Sequence, residues 1–256
     1  MKTIYLDDET PMKSLSIRVT ELERFANCPY QYKYWVRNNE DKEALEYGKL
    51  VHNYLQAMTV NKERWKRLED RLRKTGECLR TGELMEYWRL LNSKAILPEA
   101  EVLYVEKSMT VCFVINWYNV YLSGTSDLVW SNSLKWDYKT SKVERKQEDL
   151  QYKLQWKLYP YLDEIITGEK QLWLEFLVFT KHVTPRFQQL RAEYSYEDSH
   201  SLVKYLLDKL TTCYIQDFFP VKPAWTVSCN WCPIKETCDI YKNYKLSQSK
   251  PSWQQA

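Results

Sequence analysis

The sequence predicts an α/β domain, a central mixed β-sheet flanked by helices, with a helical cysteine-bearing region joining the N- and C-terminal parts. Three observations carry that prediction. Apolar residues recur at helical spacing before residue 100, in short β-branched and aromatic runs between 102 and 139, and in alternating helical and strand patterns after that. Hydrophobic residues make up 44% and charged residues 28% of 256 residues, the composition of a folded chain with a sizeable core. No repeat, low-complexity stretch or Gly/Ser-rich linker divides it, so one domain over 1–256 is expected, with a helical part at 1–98, a core at 99–195 and a C-terminal part at 196–256.

Taken in order, Thr20-Glu21-Leu22-Glu23 has the spacing of a capping box, and predicts one helix running through Phe25, Tyr32 and Trp35. Leu50, Val51, Tyr54, Leu55 and Met58 share a helical face, so a second helix is predicted over 45–58. Segments 61–74 and 82–92 also read as helices, with a break at Thr75-Gly76-Glu77. Leu128 and Trp130, then Leu134 and Trp136, flank the turn-forming Ser131-Asn132-Ser133, which predicts a β-hairpin with one apolar face. A helix interrupted or kinked by Pro160 is expected over 149–166. Strands follow at 172–179 and 187–194, and a long helix at 196–215.

Charge and hydropathy narrow the classes of function. A net charge of +3 is too small to argue for a nucleic-acid partner alone, but segment 61–74 holds seven lysines and arginines against three acids. That segment reads equally as a solvated face. No apolar run approaches a membrane span, and the first 13 residues lack the apolar core of a signal peptide, so a cytoplasmic protein with no membrane partner is expected.

The chemistry concentrates around the hairpin. Gly124-Thr125-Ser126-Asp127 is followed ten residues later by Asp137-Tyr138-Lys139-Thr140. Successive strand side chains point to opposite faces, so Asp137 and Lys139 share a face and Tyr138 takes the other. Phosphodiester cleavage needs a deprotonated water and neutralisation of charge on the phosphate, and carboxylate-bound Mg2+ or Mn2+ serves both needs. Asp127 and Asp137 supply hard oxygen ligands, and Lys139 can orient the water or stabilise developing charge. Gly48 and His52 lie four apart on the second helix, where a neutral imidazole adds a bond that favours manganese. Gln155 and Tyr159, also four apart, can reach substrate or site water. Taken singly, each of these residues has an ordinary structural reading as well.

Their order resembles that of the RecB-type branch of the PD-(D/E)XK nuclease superfamily. The matching elements are Gly48-x-x-x-His52, Gly124-x-x-Asp127, Asp137-Tyr138-Lys139-Thr140 and Gln155-x-x-x-Tyr159. The resemblance implies a restriction-endonuclease-like core, with His52, Asp127 and Asp137 as metal ligands joined by the Tyr138 carbonyl. It also implies a catalytic Lys139, with Gln155 and Tyr159 as accessory site residues. Ser126 departs from the pattern, since the family usually has an apolar residue there.

Seven cysteines in a chain expected inside the cell argue for metal or buried thiols rather than disulfides. Cys229-x-x-Cys232 with Cys238 needs a fourth ligand, for which Cys28 is the candidate; on chemistry alone four thiols suit tetrahedral zinc equally well. One early and three late cysteines are also the arrangement of AddB-type nuclease subunits and of the four-cysteine CRISPR-associated exonucleases. That resemblance implies a 4Fe-4S cluster clasping the two ends of the chain. Cys78, Cys112 and Cys213 have no such pattern and read as buried thiols.

The expectation is therefore a metal-dependent DNA exonuclease acting on single-stranded ends. An alternative is an end-binding subunit of a helicase, recombination or CRISPR adaptation complex, with secondary or no nuclease activity. There is no Walker-type phosphate loop, so unwinding would come from such a partner.

Overall fold

The computed structural model describes residues 1–8, 10–34, 42–60, 67, 70, 78–94, 101–132, 134–141, 143–148, 153–171, 173–180, 185–221, 229, 232, 234–239 and 241–242. Most of the basic segment 61–74 therefore lies outside the described residues, as do Trp35 and residues 149–152. The strands are β1 (Lys2–Tyr5), β2 (Lys13–Arg18), β3 (Val102–Ile115), β4 (Tyr118–Trp130), β5 (Lys135–Ser141), β6 (Trp173–Thr180) and β7 (Arg186–Glu193). The helices are α1 (Val19–Asn27), α2 (Pro29–Tyr34), α3 (Lys42–Val60), α4 (Cys78–Lys94), α5 (Gln155–Thr167) and α6 (Tyr196–Gln216). Among the described residues, no helix is long and apolar enough to cross a membrane.

The strands form one mixed sheet in the order β1-β3-β4-β5-β6-β7, with β2 also paired to β4. β3 and β4 form a long antiparallel pair, β4 turns back into β5, and β5 continues through α5 into a parallel partner, β6. Helices cover both faces. Val111, Phe113, Leu122, Phe176 and Val178 pack with residues of α1, α5 and α6, while Leu128, Trp136, Tyr138 and Phe179 pack with Val51, Tyr54 and Leu55 of α3 and Leu84 and Tyr87 of α4.

The predicted hairpin forms, with Leu128 opposite Trp136 and the Trp130 N–H donating to the Leu134 carbonyl at 2.9 Å. Its other face is not solvated: Lys135 is fully buried and Asp137 is 2% exposed, because the second layer of helices covers that side. Lys135 is balanced there by Asp163 at 2.8 Å, which also pairs with Lys107 at 2.5 Å.

Three elements differ from the sequence reading. The N-terminal part contributes two strands, β1 and β2, which lie parallel to β3 and β4. The helix predicted through Phe25 and Tyr32 breaks at Cys28 (φ −159°, ψ 109°), since a residue before proline is driven from helical to extended backbone. Its start lies at Val19, where the Arg18 N–H donates to Glu21 at 2.8 Å, so Glu21 occupies the position expected of Glu23. α5 begins at Gln155 and runs on through a buried Pro160, ending at Gly168 in the left-handed region (φ 77°).

Candidate active site

The candidate site occupies a gap on one edge of β4. Along that edge β2 pairs with residues 118–123 and β5 with Leu128 and Val129, so Gly124–Asp127 lie between the two partners. β2 ends there by turning directly into α1. Where β4 and β5 part, the Asp127 carboxylate replaces the missing ladder bond: its Oδ2 accepts the Tyr138 N–H at 2.7 Å. The acid is thus tied to the backbone of the strand carrying the second acid.

The two motif glycines have geometric reasons. A Cβ on Gly124 would stand 2.8 Å from the Tyr159 ring, so only a hydrogen there lets α5 seat its tyrosine over β4. A Cβ on Gly48 would meet the Thr140 hydroxyl at 3.4 Å, which marks where α3 comes down on β5. One turn further along α3, His52 reaches Asp127, with Nδ1 3.3 Å from Oδ2.

Asp137 and Lys139 share a face as expected, and Lys139 Nζ lies 2.5 Å from Asp137 Oδ2. The Tyr138 side chain turns the other way, against Phe179, with its hydroxyl 3.3 Å from that of Thr59. Burial pushes the Asp137 carboxyl up to about 6, and neighbouring Asp127 adds to the rise; Lys139 and His52 pull in the opposite direction without cancelling it. For Lys139, burial alone would lower the ammonium, but Asp137, Asp127 and Glu23 outweigh it and hold the group charged. The Tyr159 phenol is held protonated by burial first, then by Asp137, Asp127 and Glu23.

Two carboxylates and an imidazole around a buried acid short of positive charge suit a hard divalent cation such as Mg2+ or Mn2+. His52, Asp127 and Asp137 nevertheless stand in two neighbouring pairs, His52 beside Asp127 and Asp137 in an ion pair with Lys139. Among the described residues, no three His, Cys, Asp or Glu side chains meet at metal-binding distances.

Gln155 opens α5 and lines a cavity of about 270 Å³ with Lys139 and Thr140, whereas Tyr159 is buried beside Gly124. Sequence reasoning missed Glu23. It is 8% exposed, with Oε1 3.0 Å from Lys153 Nζ, and it acts on both Lys139 and Tyr159. Reading it as a helix-capping residue concealed it; the clue was Glu21, which could fill that position instead. Buried Ser126, the departure from the family pattern, has no hydrogen-bond partner for its hydroxyl among the described residues.

The four patterned cysteines are unbonded and half-buried. Cys28 sits at the α1–α2 break. At the other end, consecutive turns carry the Cys232 N–H to the Cys229 carbonyl and the Cys238 N–H to the Lys235 carbonyl, each at 3.2 Å. Burial raises the Cys229 thiol, and Cys232, Cys28 and Cys238 raise it further; the Cys232 thiol is raised by burial and also feels Cys28 and Cys238. Cysteines from the two ends of the chain are therefore electrostatic neighbours. Cys112 and Cys213 are buried, as expected, and the side chain of Cys78 lies outside the described residues.

Comparison with curated proteins found no match. Among solved structures, a candidate exonuclease from Eubacterium rectale shares the fold, with a TM-score of 0.53 at 14% identity over 84% of this chain and 87% of that one. A second, SSO0001, aligns at 15% identity over 90% of this chain and 88% of that chain, with a TM-score of 0.47. The profile of the PD-(D/E)XK nuclease superfamily matches residues 16–239, from β2 through the last of the patterned cysteines. With that match across most of its length and a helix-flanked mixed sheet carrying an acid on β4 and a D-x-K triplet on β5, the chain belongs to the PD-(D/E)XK nuclease superfamily.

Proposed function

We propose that this nuclease is a RecB-like, metal-dependent DNA exonuclease acting on single-stranded ends and carrying a structural 4Fe-4S cluster. The observation that carries the reading is the gap on β4, where His52 stands 3.3 Å from Asp127, Lys139 stands 2.5 Å from Asp137, and the Tyr138 N–H ties Asp127 to the strand carrying the other pair. Asp127 and Asp137, with His52 and the Tyr138 carbonyl, would hold Mg2+ or Mn2+. A divalent cation supplies neutralising charge at the phosphate and a more acidic water. Lys139, kept charged by the surrounding carboxylates and 38% exposed, would donate to a phosphate oxygen and offset the charge that develops there. Gln155 would orient substrate from the cavity wall, and Tyr159, protonated and buried, would donate toward the acids.

Incubating the purified protein with Mn2+ and end-labelled single-stranded DNA tests this reading. Cleavage is expected, and its loss in Asp137→Ala and Lys139→Ala; cleavage unchanged in both variants sinks the assigned site. Labels at either end also report polarity.

That Cys229 and Cys232, near the end of the chain, both feel Cys28 and Cys238 supports the cluster. Anaerobically purified protein should show visible charge-transfer absorption that Cys232→Ala abolishes; a colourless protein containing zinc would overturn the iron–sulfur assignment. Such thiols stay reduced inside the cell, in keeping with a cytoplasmic enzyme. Duplex unwinding would fall to a helicase, recombination or CRISPR adaptation partner.

A further inference from the structure

We propose that the cavity beyond Lys139 is a subsite for one nucleotide of the strand being cut, with the Arg145 guanidinium as its phosphate contact; the assignment rests on the nuclease reading above. The cavity, about 270 Å³, lies just below the usual range of ligand sites, which starts at roughly 300 Å³. That size excludes more than one nucleotide of a strand. Lys139 belongs to its wall, so whatever enters is next to the candidate catalytic lysine. The described lining contains three cations, Lys139, Arg145 and Lys153, and no carboxylate, which selects for an anion. Phe176, Val178 and Leu190 add an apolar wall of the kind that receives the face of a base or sugar.

Charge pairing within the cavity singles out Arg145. Lys139 is paired with Asp137 and Lys153 with Glu23, but among the described residues no carboxylate pairs with the Arg145 guanidinium. Its planar fork matches two phosphate oxygens at once. The backbone that presents it is clamped from both sides: the Arg145 N–H donates to Gln188 Oε1 at 2.8 Å, and Gln188 Nε2 donates back to the Arg145 carbonyl at 2.9 Å. Glu144 next to it pairs with Arg186 at 2.8 Å. Loop residues 143–148 are thereby stitched to β7, so the backbone that carries the cation needs no ordering on meeting a phosphate.

The test is binding of a fluorescent single-stranded DNA oligonucleotide to the full-length protein, in Ca2+ to support binding, across a salt series, followed by cleavage kinetics in Mn2+. Arg145→Ala should bind about tenfold more weakly, with the slope of log K against log salt shallower by about 0.7, the share of one phosphate contact on a single strand. KM should rise while kcat stays within a few-fold, Arg145→Lys should recover part of the affinity, and Gln188→Ala should weaken binding by loosening the loop. Thermal melting of Arg145→Ala should match the wild type, because its backbone clamp is retained. If the wild type binds and cuts while Arg145→Ala binds with the same affinity and salt slope, the subsite is overturned and the nuclease reading stands. A wild type that neither binds nor cuts the oligonucleotide overturns the nuclease reading itself.

Discussion

Replacing Asp137 with asparagine should stabilise the protein in the absence of divalent cation, and only above the pH at which the acid ionises. The carboxyl is buried and raised from 3.8 to about 6. A folded-state value above the unfolded one means that the folded protein binds the extra proton, so its stability is full below about 4, falls as pH rises to 6, and stays low beyond. The loss amounts to about 3 kcal/mol at most. Asparagine has the shape of the protonated acid and carries no charge, so it avoids that loss. The attraction of Lys139, 2.5 Å away, opposes the rise and is already contained in the value of about 6. A gain of up to about 3 kcal/mol at pH 8 follows, which for a chain of this size is an increase in melting temperature of up to about 12 °C. The assay is thermal unfolding of wild type and Asp137→Asn in chelator at pH 4.5, 6 and 8, then at pH 8 with Mg2+. The advantage of asparagine should be about a third as large at pH 4.5 as at pH 8, and at pH 8 it should be reduced by Mg2+, which stabilises only the wild type by binding its folded state. Equal stability at pH 8, or an advantage that does not change with pH, would show that the buried charge is not the source of strain.

The remaining predictions concern packing, buried charge and the joining of the chain ends. Gly124→Ala places a methyl group 2.8 Å from the buried Tyr159 ring and should cost about 1–3 kcal/mol, read as a lower urea midpoint; an unchanged midpoint would mean that α5 is free to shift. Asp163→Ala leaves the fully buried Lys135 ammonium without its carboxylate and should destabilise by about 3–5 kcal/mol, whereas pairing it with Lys135→Met should recover most of the loss. If the double variant melts no higher than the single one, the ion pair is not the source of the effect. Cys28→Ser should release the C-terminal segment from α1, read as faster limited proteolysis of that segment than in the wild type; equal cleavage rates would mean that the cysteines do not hold the chain ends together.

Much of the fold was legible because its signals are local. The hairpin between Leu128 and Trp136, the helix carrying His52 and the long helix beginning at Tyr196 each announce themselves by periodicity within a single element. β2 could also have been read, since Leu15 and Ile17 alternate with Ser14 and Ser16. β1, with four residues and a partner more than 100 positions away, has too little local pattern to be read. The break at Cys28 was present in the following proline, but helical spacing across it concealed the stop.

The sequence by itself determined which chemistry is present: two acids, a lysine and a histidine in motif order, and four cysteines split between the chain ends. Those depend on residue type and spacing, which the chain displays directly. Only the tertiary structure decided that β2 stops and β5 starts on the same edge of β4, leaving Asp127 in the gap between them. It also decided that a second layer of helices buries Asp137 and Lys135, that Glu23 faces the site, and that Gln188 holds Arg145 at the cavity. Burial and pairing are set by segments distant in sequence, so the charge state of each group cannot be known until those segments meet.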